Sequence, residues 1–153
     1  MNVLILGSGG REHAFAYKIR QSELCKNLYV APGNSGTREI ASNLEIQLNQ
    51  FEKIAEAIKN LNVSLVVVGP EVPLVNGLTD FINGDNDLKD IIVIGPNKYA
   101  AQLEGSKDFA KDFLNRHNIP TASHKTFTSE NINDAFSYID EMKAPYVLKA
   151  DGL

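Results

Sequence analysis

Four short apolar runs, Val3 to Leu6, Leu28 to Val30, Leu65 to Val68 and Ile91 to Ile94, constrain this chain more than any other feature. Each is apolar at consecutive positions, as a parallel strand covered on both faces should be. Amphipathic segments lie between them. Phe51, Ile54, Ala55 and Ile58 follow i, i+3, i+4, i+7 spacing, and Glu12 to Arg20 carries Phe15, Ala16 and Ile19 on one side. Strands alternating with helices require right-handed crossovers, so the expected fold is α/β with a doubly wound parallel sheet.

Turn residues follow these runs: Gly7 after the first, Ala31-Pro32-Gly33-Asn34 after the second, Gly69-Pro70-Glu71 after the third and Gly95-Pro96 after the fourth. Such loops gather at the carboxyl edge of an open sheet, where α/β folds bind ligands. The first loop, Gly7-Ser8-Gly9-Gly10-Arg11-Glu12-His13, starts as a GxGxxG dinucleotide pattern and breaks at its third position, where Glu12 stands. The acid expected at the end of the second strand, to hold a ribose, is also missing, because that strand ends in Val30-Ala31-Pro32. A nicotinamide-dependent oxidoreductase is thereby disfavoured. The loop keeps its capacity for a phosphate, since amides and the positive end of a helix dipole favour an anion and Arg11 adds a full charge.

The pattern changes near Ala100. A helix is expected over residues 105–117, with Phe109, Phe113 and Leu114 as core, then a strand over 123–128 and a helix from Asn131 to Met142. A last strand, Pro145 to Ala150, has no sheet partner left in the chain, which suggests a second unit cut short. The division expected is residues 1–103 and 104–153.

A formal net charge of −4 over 153 residues argues against a duplex nucleic-acid binder. The lone Cys25 forms no internal disulfide, and no stretch reaches the length of a membrane span or signal peptide, so a cytoplasmic setting is expected. His117, His124 and Cys25 read as structural or exposed.

Five blocks carry a resemblance: GSGGREH at 7–13, VAPGNSGT at 30–37, VVGPEVPLVNGL at 67–78, AAQLEGSKDFAKDFL at 100–114 and YVLKADGL at 146–153. In this order the chain resembles the phosphoribosylamine-glycine ligases, also called glycinamide ribonucleotide synthetases, of the ATP-grasp superfamily. The resemblance implies a Rossmann-like pre-ATP-grasp domain followed by the start of an ATP-grasp domain. It further implies ATP-dependent joining of glycine to 5-phosphoribosylamine through glycyl phosphate, in purine biosynthesis, with small-molecule partners and no nucleic acid or membrane. The segment alone is expected to be inactive, and it implies Mg with its ligands beyond Leu153.

By the same resemblance Gly9, Gly10, Arg11 and Glu12, with Gly33, Asn34 and Glu71, fall to the phosphoribosylamine site, and Lys107 and Lys149 to ATP. Independent arguments accompany some of these. Glu71 follows a buried strand and precedes Val72-Pro73, which predicts a carboxylate held by a stiff loop. Lys107 opposes a helix dipole at its position, and strand alternation turns Lys149 to the same side as Val147. Blander readings stand beside them: a tight turn with a solvated Arg11, an exposed acid at Glu71 and surface lysines. The competing function is a non-catalytic phosphosugar-binding module.

Overall fold

The computed structural model describes residues 1–152. They form two compact units, Met1–Ala101 and Gln102–Leu153.

The first unit is built on a five-stranded sheet: β1 (Asn2–Gly7), β2 (Asn27–Pro32), β3 (Ser42–Asn43), β4 (Val63–Val68) and β5 (Ile92–Ile94). Its order is β3-β2-β1-β4-β5 and every pairing is parallel. This is the expected doubly wound sheet, and the four apolar runs supply four of its strands. β1 is central, and Val3 to Leu6 are at most 1% exposed because neighbouring strands flank it and helices cover both faces.

Helix α1 (Gly10–Arg20) covers one face, where Ala16 meets Val3, Ile5, Val30 and Val67. Helix α3 (Phe51–Asn60) covers the other, and Ile54, Ala55 and Ile58 pack there on Leu4, Leu6, Val66 and Val68. Burying each of these isoleucines contributes about 1.5–3 kcal/mol over leaving it in water. A short helix α2 (Ser35–Arg38) follows β2, and α4 (Glu71–Val75) and α5 (Leu78–Gly84) join β4 to β5.

Three expectations for this unit change. Glu71 opens helix α4 instead of standing in a loop; Pro73 is compatible because it falls in the first turn, where the lost N–H has no intrahelical partner. β5 is covered on one face only. Val93 packs into the core, whereas Ile92 and Ile94 are each 54% exposed, because α1 lies over β1, β2 and β4 and does not reach the edge strand. The two-residue β3 carries no apolar run that could announce it.

In the chain that follows, α7 (Lys107–Arg116), with Ser106 as its cap, is the helix expected over 105–117, and α6 (Lys98–Gly105) is a further helix before it that was not expected. Phe109, Phe113 and Leu114 are only partly buried. Helix α8 (Ile132–Glu141) forms as expected. Residues 123–128 and 145–150 are not strands: no described segment pairs with either, and an unpaired extended backbone is not a sheet.

Candidate functional site

In the order β3-β2-β1-β4-β5 the chain winds outward from β1 to β3 and then returns to the other side of β1. The reversal leaves a crevice between the carboxyl ends of β1 and β4, the point at which open α/β sheets take ligands. Three loops meet there. Gly33 N–H donates to the Gly7 carbonyl at 3.1 Å, and Gly69 N–H to the Leu6 carbonyl at 3.0 Å, so the chain after β2 and after β4 is tied to the end of β1.

Gly9 is the N-cap of α1 and is solvent-exposed with Ser8 and Gly10. The Gly10 amide, at the first helical position, has no carbonyl within the helix to receive it and lies at the positive end of the dipole. Arg11 is half-exposed and held from two sides. Its Nε lies 3.1 Å from Glu12 Oε1 and its Nη2 3.8 Å from Glu71 Oε2, an ion pair that spans the crevice from α1 to the start of α4.

Glu12 points the other way. It is 4% exposed, and its Oε2 accepts the Gly9 N–H at 2.7 Å, the returning half of a capping box. Asn34 is likewise engaged internally. It caps α2 by accepting from Thr37 N–H at 2.9 Å, and its Nδ2 donates to the Ser8 carbonyl at 2.9 Å. Gly33 has φ +73°, and a Cβ there would lie 2.6 Å from the Asn43 side chain, so only glycine fits between β2 and β3.

The structure therefore brings Gly9, Gly10, Arg11, Glu12, Gly33, Asn34 and Glu71 to one sheet edge. It gives them different positions: Gly9, Gly10, Arg11 and Glu71 face outward, while the polar atoms of Glu12 and Asn34 are turned onto the loop. Thr37 and Asn43 support this corner, although neither carries a local sequence signal for that role. Thr37 is fully buried, its hydroxyl lies 2.9 Å from Asn43 Oδ1, and Asn43 Nδ2 donates to the Asn34 carbonyl at 2.8 Å. Only a fold that places Asn43 beside Asn34 reveals them.

The second unit has its own polar cluster at the start of α7. Ser106 Oγ accepts the Phe109 N–H at 3.1 Å. The Asp151 carboxylate accepts from Lys107 N–H at 2.6 Å and Ser106 Oγ at 3.0 Å, while Lys107 Nζ donates to the Gly152 carbonyl. Desolvation pushes the Asp151 carboxyl upward, but the hydrogen bonds from Lys107, Ser106, Asp108 and Gly152 outweigh it and hold the group below the usual carboxylate range. Lys149 is exposed on an irregular segment, not on the strand expected for it. Asp151 lay within the quoted YVLKADGL block, and its capping role needed the contact with Ser106 to be seen.

Among the described residues no group of three or more His, Cys, Asp or Glu is arranged to hold a metal ion. Nor is any helix among them long and apolar enough to cross a membrane.

Comparison with known proteins agrees along the whole chain. Residues 1–104 match the family model described as phosphoribosylglycinamide synthetase, N domain, and residues 105–153 the model described as phosphoribosylglycinamide synthetase, ATP-grasp (A) domain. The chain is 46% identical to the phosphoribosylamine–glycine ligase of Pasteurella multocida and 50% identical to that of Pseudomonas syringae pv. tomato. All of the chain is covered in both matches, with 35% and 34% of those relatives. It therefore spans about a third of their length. The crystal structure of the Thermotoga maritima phosphoribosylamine–glycine ligase superposes with a TM-score of 0.70 at 30% identity, over 100% of this chain and 34% of that one. An N5-carboxyaminoimidazole ribonucleotide synthetase from the same organism shares the fold, with a TM-score of 0.59 at 15% identity.

Proposed function

Since the chain belongs to the phosphoribosylglycinamide synthetase family, we propose that it contributes to the ATP-dependent joining of glycine to 5-phosphoribosylamine, and that its part is to hold the phosphosugar. The observation that carries this reading is the β1–β4 crevice. There an arginine tethered by two carboxylates stands beside the Gly10 amide at a helix start.

The 5-phosphate is assigned to the Gly10 amide, Gly9 and the Arg11 guanidinium. A backbone N–H at a helix start and an arginine together suit the geometry of a phosphate better than either alone. Glu71 is assigned to the ribose hydroxyls or the amine, because a carboxylate at the opposite rim accepts hydrogen bonds from either. Gly33 and Asn34 shape the wall next to β2. Lys107 and Lys149 are assigned to the nucleotide phosphates. For Lys107 this entails exchanging its bond to the Gly152 carbonyl for one to the ligand.

The chemistry of the complete enzyme follows from the electrophilicity of a carboxylate, which is poor until one oxygen becomes a leaving group. A glycine carboxylate oxygen takes the terminal phosphoryl group of ATP, releasing ADP. The phosphoribosylamine nitrogen then attacks the carbonyl carbon, phosphate departs with its bonding electrons, and the nitrogen loses a proton to give the amide. Holding the sugar phosphate in the crevice fixes the direction from which that amine approaches.

The test uses the complete protein that carries this segment, in a cytoplasm-like reducing buffer. Phosphate release from ATP should require both glycine and 5-phosphoribosylamine. Turnover without glycine, or with a different carboxylate in its place, contradicts the assignment. Ribose 5-phosphate binding with no turnover under any of these conditions favours a phosphosugar-binding module.

A further inference from the structure

We infer that Glu12 decides which anion the β1–β4 crevice accepts, and that it does so as a positioning residue beneath the loop. This rests on the reading of the crevice as a phosphosugar site.

The chain from Gly7 to Glu12 has the spacing of a dinucleotide loop in which the second glycine lets the backbone approach a diphosphate and the third lets helix and strand close together. Gly9 is that second glycine and Glu12 stands at the third position. The carboxylate at the third position takes up the amide of the second: Glu12 Oε2 lies 2.7 Å from Gly9 N. The same carboxylate fills the floor of the crevice. A Cβ on Gly69, on the β4 side, would lie 2.5 Å from Glu12 Cδ, and one on Gly7, on the β1 side, 2.5 Å from Glu12 Cγ. A dinucleotide loop leaves this volume to backbone packing; here a buried negative charge occupies it.

Two consequences follow for a ligand. One amide of the loop is committed internally, and a fixed carboxylate lies directly below, which opposes the second charged group of a diphosphate more than it opposes a single phosphate. Meanwhile Glu12 Oε1 holds Arg11 Nε at 3.1 Å and so aims its guanidinium outward toward Glu71. Glu12 thus withdraws the loop from a diphosphate and presents Arg11 to a monoester.

The test is calorimetric titration of this chain and of its Glu12→Gln and Glu12→Gly variants with ribose 5-phosphate and, separately, ADP-ribose. The unaltered chain should bind ribose 5-phosphate in preference to ADP-ribose. The ratio of the two affinities should fall roughly tenfold or more in Glu12→Gln, the effect expected from one charge-assisted contact. Glu12→Gln is nearly isosteric and retains an acceptor for Gly9, so it keeps the question answerable if Glu12→Gly fails to fold. A role confined to stability lowers both affinities together; an unchanged ratio in the folded variants overturns the inference. Failure of the unaltered chain to bind ribose 5-phosphate overturns the phosphosugar assignment itself, and this inference with it.

Discussion

Glu12 occupies the space that a side chain on residue 69 would need. Glu12 lies in the first turn of α1 and Gly69 directly after β4, and a Cβ built on Gly69 would meet Glu12 Cδ at 2.5 Å and Cγ at 2.6 Å. Gly69→Ala should therefore destabilise the first unit by about 1–3 kcal/mol, as overpacking does. Every atom it would strike lies beyond Cβ of Glu12, so the penalty should shrink when Glu12→Ala is already present. A double-mutant cycle by urea unfolding should return a coupling of about 0.5–3 kcal/mol between the two sites. Additive penalties would place the strain elsewhere.

Arg11 is the charged group best placed to reach a phosphate from the crevice. Its replacement by alanine should weaken ribose 5-phosphate binding by roughly tenfold to a hundredfold, the range for loss of a hydrogen bond to a charged group. Lysine should restore only part of this, because an ammonium cannot present the planar fork that now spans Glu12 and Glu71. Calorimetry on the three proteins gives the comparison directly. Equal affinities would remove Arg11 from the site.

The strands at 3–6, 28–30, 65–68 and 91–94 were legible because a parallel sheet writes consecutive apolar residues into the chain. The same signal does not say what lies over a strand. Val93 and Ile94 read alike, yet one is in the core and the other is 54% exposed, since coverage depends on where α1 ends. Residues 123–128 and 145–150 have strand-like patterns but no described neighbour to pair with, and pairing is a property of two segments. In the candidate site, the glycines and Arg11 announced themselves through a local motif. The inward turn of Glu12 did not, because it requires Gly69 to lack a side chain. Glu71 follows β4 but opens a helix, and the sequence hides this because Pro73 in a first turn reads like a loop.

The uneven cover over β5 can be checked by paired substitutions. Ile54→Ala, on the fully buried, sheet-facing side of α3, should cost about 2–5 kcal/mol in urea unfolding. Ile92→Ala should cost less than about 1 kcal/mol, since much of its side chain is already in water. Equal losses would mean that the outer face of β5 is packed.

Asp151 should give the start of α7 a pH dependence of definite sign. Its folded-state pKa is lowered, so the contribution it makes is fully present above the unfolded value of about 4 and is lost as pH falls through the lower folded value. The amide resonances of Lys107 and Asp108, both donors to this carboxylate, should shift together in that acidic window. Asp151→Asn should abolish the shared titration. A midpoint above the ordinary aspartate value would contradict the capping contact.

The bonds that join Gly33 to Gly7 and Gly69 to Leu6 also bear on how the first unit comes together. A ligand in the crevice touches chain ends that become neighbours only once β2 and β4 have both docked on β1. No partly assembled sheet offers the same set of contacts, so ligand affinity belongs to the finished unit alone. Ribose 5-phosphate should accordingly act by mass action on global unfolding, raising the midpoint of the whole transition as its concentration passes the dissociation constant, and should leave the fraying of single elements untouched.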